Sequence, residues 1–232
     1  LSEQDLAPMR EHVRRRGERE PLAWVLGEKG FHKLDLAVHP GVLVPRPDSE
    51  TLVDAALALI PEDEECFVAD ICCGSGAIGL AIASERPRVK LFATDIEVAA
   101  LNCTKENVQR LGLSDRVAVL RGSLLEPIPA DRPIDYIVSN PPYIVSGEID
   151  ALAPEISQHE PRTALDGGID GLDIYRQLVP AAAQRGQVAV LVEVGAGQAS
   201  DVTDLMRAAG LTNLDTHKDL AGHERVVSGR GE

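Results

Sequence analysis

Asp70-Ile71-Cys72-Cys73-Gly74-Ser75-Gly76-Ala77-Ile78-Gly79 is the stretch that decides the fold. It takes up an apolar run of strand length, residues 67–71, turns through glycines, and opens a segment, 76–84, rich in Ala, Ile and Leu. A strand that passes through a glycine turn into a helix is half of a βαβ unit, and such units build parallel sheets. Working outward, the pattern repeats. Residues 90–94 read as a strand, 98–111 as a helix, 117–121 and 134–139 as strands, 172–184 as a helix, 187–194 as a strand and 200–209 as a helix. Residues 214–218 and 224–228 form a terminal hairpin whose turn Gly222 permits. The expected fold is α/β: a doubly wound, mostly parallel sheet with an antiparallel C-terminal hairpin.

Before the first core strand the signals differ. Residues 1 to about 20 are polar, and Leu6, Met9 and Val13 are spaced for a short amphipathic helix. Arg14-Arg15-Arg16 reads as a solvated face. Residues 24–44 read as short strands turning at Gly27, Gly30 and Gly41, a β-hairpin that Pro45-Arg46-Pro47-Asp48 ends. Asp48 or Ser49 would cap a helix over 50–59. Residues 1–45 are thus expected to be an N-terminal helix and β-hairpin linker region, and 46–232 the main domain. Residues 144–171 read as a long irregular loop, and loops of that length are usually functional or mobile.

With 232 residues the chain suits one good-sized domain with a small appendage. Its 37 acidic and 23 basic residues leave a net charge of −14, which argues against holding duplex nucleic acid by charge. Cys66, Cys72, Cys73 and Cys103 form no CxxC pair, and the six histidines show no ligand spacing, so no metal is expected. Reduced thiols, no signal peptide and no bilayer-spanning run predict a cytoplasmic protein with no membrane contact.

Gly74, Gly76 and Gly79 satisfy GxGxxG, and Asp95 ends the next strand at the distance expected for a ribose-binding acid. Two cofactor classes share this physics. The anion at the helix N-terminus is a pyrophosphate in a dehydrogenase and the carboxylate of S-adenosylmethionine in a methyltransferase, where Asp70 would sit near the ammonium. Asn140-Pro141-Pro142-Tyr143, at the end of strand 134–139, separates them. Proline locks its own φ and pushes the residue before it to extended geometry, so Asn140 is a placed carboxamide. Its oxygen and a nearby backbone carbonyl can accept both protons of a planar –NH2 group. A hydride-transfer enzyme needs an acid/base on that edge, and none is evident.

These stretches resemble the HemK/PrmC family of protein glutamine methyltransferases. So do Gly17-Glu18-Arg19-Glu20-Pro21-Leu22-Ala23, Val44-Pro45-Arg46-Pro47-Asp48-Ser49-Glu50, Glu160-Pro161-Arg162-Thr163-Ala164-Leu165 and Glu224-Arg225-Val226. The resemblance implies a Rossmann-like sheet of the class I type, S-adenosylmethionine as cofactor with S-adenosylhomocysteine as product, and a monomer. The implied substrate is the glutamine of the Gly-Gly-Gln loop of a peptide chain release factor. Cofactor contacts are implied at Asp70, Cys72, Cys73, Gly74, Ser75, Gly76, Asp95, Ser123, Leu124 and Asn140. Asn140, Pro141 and Tyr143 would serve catalysis. Asn140, Pro141, Pro142, Tyr143 and Arg46 would touch the substrate. Tyr143, as a lone aromatic, reads equally as a packed side chain; Arg46 reads equally as a salt-bridge residue. Glu160 and Arg162 read as a structural ion pair holding the long loop, and Glu193 as a supporting residue on the functional edge. The family's N-terminal helical bundle is expected to be missing apart from a final helix. Cys72-Cys73 stands where the family usually has Gly-Thr or Gly-Ser, and Ser123 where it commonly has an acid. A small-molecule or peptide N-methyltransferase, an adenine N-methyltransferase and a nucleotide-binding module remain as alternatives.

Overall fold

A computed structural model describes residues 3–231; residues 1, 2 and 232, where the two sequence-derived regions end, lie outside the described residues. The chain opens with α1 (Glu3–Gly17), a short α2 (Leu22–Leu26), the hairpin β1 (Glu28–Phe31) and β2 (Leu34–Ala37), and α3 (Glu50–Leu59). The alternation follows: β3 (Cys66–Ile71), α4 (Ala77–Glu85), β4 (Val89–Asp95), α5 (Val98–Arg110), β5 (Val117–Arg121) and β6 (Tyr136–Ser139). A long connection carrying α6 (Pro154–Ser157) leads to α7 (Asp173–Ala183), β7 (Ala189–Glu193), α8 (Ala199–Ala208), β8 (Thr212–Lys218) and β9 (Glu224–Arg230).

β3 to β9 form one seven-stranded sheet in the order β5-β4-β3-β6-β7-β9-β8. The first five of these are parallel, and β9 runs antiparallel to both β7 and β8. Successive side chains of a strand face opposite sides, and here both sides are covered. Val68, Val138 and Leu191 face a core built with α3, α4 and the Phe31 and Leu36 side chains of the hairpin. Ala69, Ile71, Ile137, Val190 and Val192 face the other core, built with α7 and α8. This double cover is why the strands read as near-continuous apolar runs.

The chain leaves β3 for β4 and β5 on one side, then returns to β6 on the other. Ligands of open α/β sheets bind at the carboxyl ends of the strands where the order reverses. The glycine loop after β3 and Asn140 after β6 stand side by side at that point, since Ile71 pairs with Ser139.

Three local expectations are corrected. Residues 22–26 are helical rather than extended, with Gly27 in the left-handed C-cap position (φ 78°). The hairpin turns at His32-Lys33, with His32 itself at φ 53°, and Gly30 lies inside β1. Ser49 makes no side-chain cap for α3; Pro47–Ser49 is a short 3-10 turn and Ser49 is drawn into tertiary contacts instead. The 144–171 connection is also less irregular than expected: Ile144 forms a parallel bridge with Asp166, and short helical turns fill the span. Arg14, Arg15 and Arg16 are engaged in ion pairs with Glu11 and Glu18, with Glu20, and with Glu155, respectively.

Candidate active site

The loop after β3 is held in shape by backbone geometry and two carboxylates. Gly74 and Gly76 adopt φ values of 57° and 80°, where a side chain is strained. Gly79 is required for a different reason: a Cβ there would meet Asp70 Oδ2 at 2.8 Å, so its absence lets α4 sit against β3. Asp70 is buried, and its Oδ2 accepts the Gly79 N–H at 2.9 Å while Oδ1 has no partner among the described residues. Burial pushes Asp70 up to about 7; the Gly79 N–H opposes this and the Asp95 charge adds to it. Asp95 accepts the Gly74 N–H at 3.0 Å on Oδ2 and the Glu97 N–H at 2.9 Å on Oδ1, leaving a lone pair on each oxygen. Burial raises its pKa against those bonds.

Asn140 leaves β6 with its Nδ2 donating to Ser49 Oγ at 3.2 Å, and among the described residues no hydrogen bond reaches its Oδ1. The turn behind it is clamped. The Tyr143 carbonyl accepts Gln198 Nε2 at 2.9 Å, and Gln198 Oε1 in turn accepts the Gly195 N–H at 2.9 Å. A Cβ at Gly167 would meet Tyr143 Cα at 2.7 Å, and one at Gly195 would meet the Tyr143 ring at 3.0 Å. Tyr143 is therefore packed. Its hydroxyl donates to Glu193 Oε1 at 3.4 Å, and burial drives its pKa up.

One cavity joins the two motifs. It is lined by Cys72, Cys73, Gly74, Ser75, Asp95, Ser123, Leu124, Asn140, Pro142 and Arg46 of the predicted site residues. Asp70, Gly76, Pro141 and Tyr143 do not line it; they support the loops that do. Two lining residues, Cys72 (φ 60°) and Leu124 (φ 49°), hold the left-handed backbone conformation that side chains rarely adopt, a strain that clusters at functional sites. Burial pushes the Cys72 thiol up to about 12 and also raises Cys73 well above its ordinary value, so neither serves as a thiolate nucleophile.

Arg46 is committed to Glu160, its Nη2 lying 2.8 and 2.7 Å from the two carboxylate oxygens. The Glu160 side chain is 1% exposed, so this pair fastens the long connection to the cavity mouth. Arg162, expected to share that task, works within the connection, on Asp166, Asp150 and the Ser146 carbonyl. Several lining residues escape sequence reading. Phe31 comes from the hairpin, Ile96 is a half-exposed apolar residue following Asp95, and Pro161 and Thr163 come from the long connection. Pro161 and Thr163 carried a signal, since they lie in the family-matching stretch 160–165.

The family model of the methyltransferase small domain matches residues 46–168. The release factor glutamine methyltransferase of Caulobacter vibrioides is 43% identical over 231 residues, covering 99% of this chain and 80% of that protein. That of Geobacter sulfurreducens is 42% identical over 232 residues with the same coverage. The chain belongs to the release factor glutamine methyltransferase family. Its fold is shared by methyltransferases of much lower identity. The hMettl16 catalytic domain in complex with a MAT2A 3′UTR hairpin superposes with a TM-score of 0.67 at 16% identity, over 84% of this chain and 75% of that one. The T. thermophilus 16S rRNA N2 G1207 methyltransferase, in complex with AdoMet and guanosine, gives 0.64 at 18% identity, over 88% and 50%. In this methyltransferase no described helix is long and apolar enough to cross a membrane, and no described group of three or more His, Cys, Asp or Glu could hold a metal ion.

Proposed function

We infer that this methyltransferase transfers a methyl group from S-adenosylmethionine to the side-chain amide nitrogen of a protein glutamine, that of the Gly-Gly-Gln loop of a peptide release factor, and works in the cytoplasm. The observation that carries the reading is the Asn140 carboxamide. Its nitrogen is tied to Ser49, its oxygen meets no donor among the described residues, and it lines the same cavity as Gly74 and Asp95.

The residues present fit the cofactor. Asp95 retains lone pairs for ribose hydroxyls. The N-terminus of α4, which faces the cavity behind Gly74 and Ser75, favours a carboxylate. Ile96, Ala100 and Leu124 supply an apolar wall for a base, and Asp70 Oδ1, without a partner among the described residues, adds negative charge behind the loop for an ammonium. When bound, S-adenosylmethionine supplies a methyl group made electrophilic by its sulfonium. The chain's own task lies with the acceptor. An amide nitrogen is a weak nucleophile because its lone pair is delocalised. Asn140 Oδ1, on the cavity wall, accepts a hydrogen bond from one of its N–H groups and fixes it in one orientation, and such positioning can contribute up to about 7–11 kcal/mol in the best intramolecular cases. Pro142 and the Glu160-braced Arg46 wall the entrance.

Titration calorimetry with S-adenosylmethionine and with NAD tests the cofactor half of this reading; tighter binding of NAD would remove it. Transfer of labelled methyl to an intact release factor, compared with one carrying Asn for the loop glutamine, tests the acceptor half. Equal labelling of the two would contradict it.

A further inference from the structure

We propose that Gln198 is a positioning residue for the methyl transfer: its side-chain amide holds the Asn140–Tyr143 turn in the shape that presents the Asn140 oxygen to the acceptor. This role rests on the glutamine reading above and falls to a residue which that reading does not use. Gln198 does not line the cavity, so it acts through the turn.

The turn has little means of holding itself. Pro141 and Pro142 lack an N–H, so between Asn140 and Tyr143 the backbone has no donor with which to close a hydrogen bond. Its shape is therefore fixed from its two ends. At the near end β6 pairs with β3 up to Ser139, whose hydroxyl also donates to the Ile71 carbonyl at 2.7 Å. At the far end Gln198 Nε2 donates to the Tyr143 carbonyl at 2.9 Å.

The face that this amide presents is settled by its partners. The Gly195 N–H can only donate, and it takes Gln198 Oε1 at 2.9 Å. The carbonyls of Tyr143 and Gly171 can only accept, and both meet Nε2, at 2.9 and 3.4 Å. One side chain thus joins three segments: the end of the catalytic turn, the end of the long connection, and the turn between β7 and α8. A Cβ at Gly171 would run into both Gln198 Nε2 and the Tyr143 carbonyl, and one at Gly195 would meet Gln198 Oε1 at 2.7 Å. The packing leaves room for this amide and little else. Gln198 stands at the N-cap of α8 yet makes no side-chain bond to that helix, the usual service of a polar residue there. Just beyond Tyr143, the Ile144 N–H donates to the Leu165 carbonyl at 2.9 Å and the Ile144 carbonyl accepts the Gly167 N–H at 2.8 Å. Loss of the Gln198 bonds therefore frees the joint at which the turn passes into the connection that carries Glu160. The Asn140 oxygen would then sample several positions and transfer would slow, while the loop after β3, which Gln198 does not touch, keeps its hold on the cofactor.

Two variants of similar volume test this. Gln198→Glu has the same shape and keeps an oxygen for the Gly195 N–H but loses the donor; Gln198→Met offers neither. In the methylation assay both should lose about ten-fold or more in kcat, with the affinity for S-adenosylmethionine, read by calorimetry, within about two-fold of the parent. Hydrogen exchange followed by mass spectrometry should quicken in the peptides that contain Ile144, Gly167 and Gly195 and stay unchanged in β3 and α4. A side chain that serves only packing would leave Gln198→Glu at the parent kcat. That result, a cofactor affinity that falls as far as kcat, or unchanged exchange at Ile144 would overturn the proposal. If neither variant folds, the parent decides: slow exchange of the Gly195 amide supports the clamp, and exchange as fast as that of a solvent-exposed amide would overturn it. Localised quickening in variants of a protein that methylates no release factor would support the clamp and sink only the substrate reading.

Discussion

A glutamine amide gives an enzyme little to work with, since its nitrogen lone pair belongs to the carbonyl. At the residue scale the reaction therefore depends on how firmly the Asn140 oxygen holds that nitrogen. Asn140→Ala removes that acceptor and touches nothing that binds the cofactor strongly. It is expected to lower kcat by roughly 10²–10³-fold, as loss of one preorganised partner does elsewhere, while cofactor affinity measured by calorimetry stays nearly constant. Asn140→Asp keeps an oxygen and should retain a little activity. Asp95→Ala is the complement: a charge-assisted bond is worth roughly 1.5–3 kcal/mol, so cofactor affinity should fall by about that much, read in the same titration. Asn140 was legible in the sequence because two prolines announce a fixed side chain at a strand end. Ser49 was not. A serine before a helix reads as a cap, and only the fold reveals that its hydroxyl is turned toward Asn140 from 91 residues away.

At the scale of elements, the cavity depends on how the long connection between β6 and α7 is fastened. Glu160 is buried, and Arg46 is its cation. Arg46→Ala leaves a buried carboxylate uncompensated. The cost should be roughly 2–3 kcal/mol at pH 8, less than for a fully buried pair because Arg46 is itself 35% exposed. Burial already raises the Glu160 pKa, so the variant should take up a proton and lose less at pH 5. Urea melts at the two pH values check this, and adding Glu160→Gln should recover most of the loss. The alternation of strands and helices was readable to within about two residues at most boundaries, because period and length agree for each element. The hairpin was legible as a hairpin but mislocated. Gly30 looked like its turn, yet Gly30 sits in β1 and His32 takes the positive φ. The contribution of Phe31 to the cavity could not be read at all, since it depends on how the hairpin packs across α3 and α4.

For the molecule as a whole, the site is a cost that pH exposes. Asp70 and Glu193 are pushed up to about 7 from ordinary values of 3.8 and 4.5. Between about pH 4 and 7 the folded chain keeps protons that the unfolded chain releases, so stability should fall as pH rises through that window and then level off. Asp70→Asn preserves an acceptor for the Gly79 N–H and removes the buried charge. It should be more stable than the parent by roughly 1–3 kcal/mol at pH 8 and little different at pH 4, as read from denaturant midpoints. Across the chain, the net charge of −14 argues against a base on a duplex, which agrees with the release factor glutamine methyltransferase family to which the chain belongs. The most direct measurement is tandem mass spectrometry of a peptide release factor incubated with the enzyme and S-adenosylmethionine, alongside Asn140→Ala. The account predicts one added methyl on the side-chain nitrogen of the Gly-Gly-Gln glutamine with the parent enzyme and essentially none with the variant. A methyl at any other residue, or equal modification by Asn140→Ala, would contradict it.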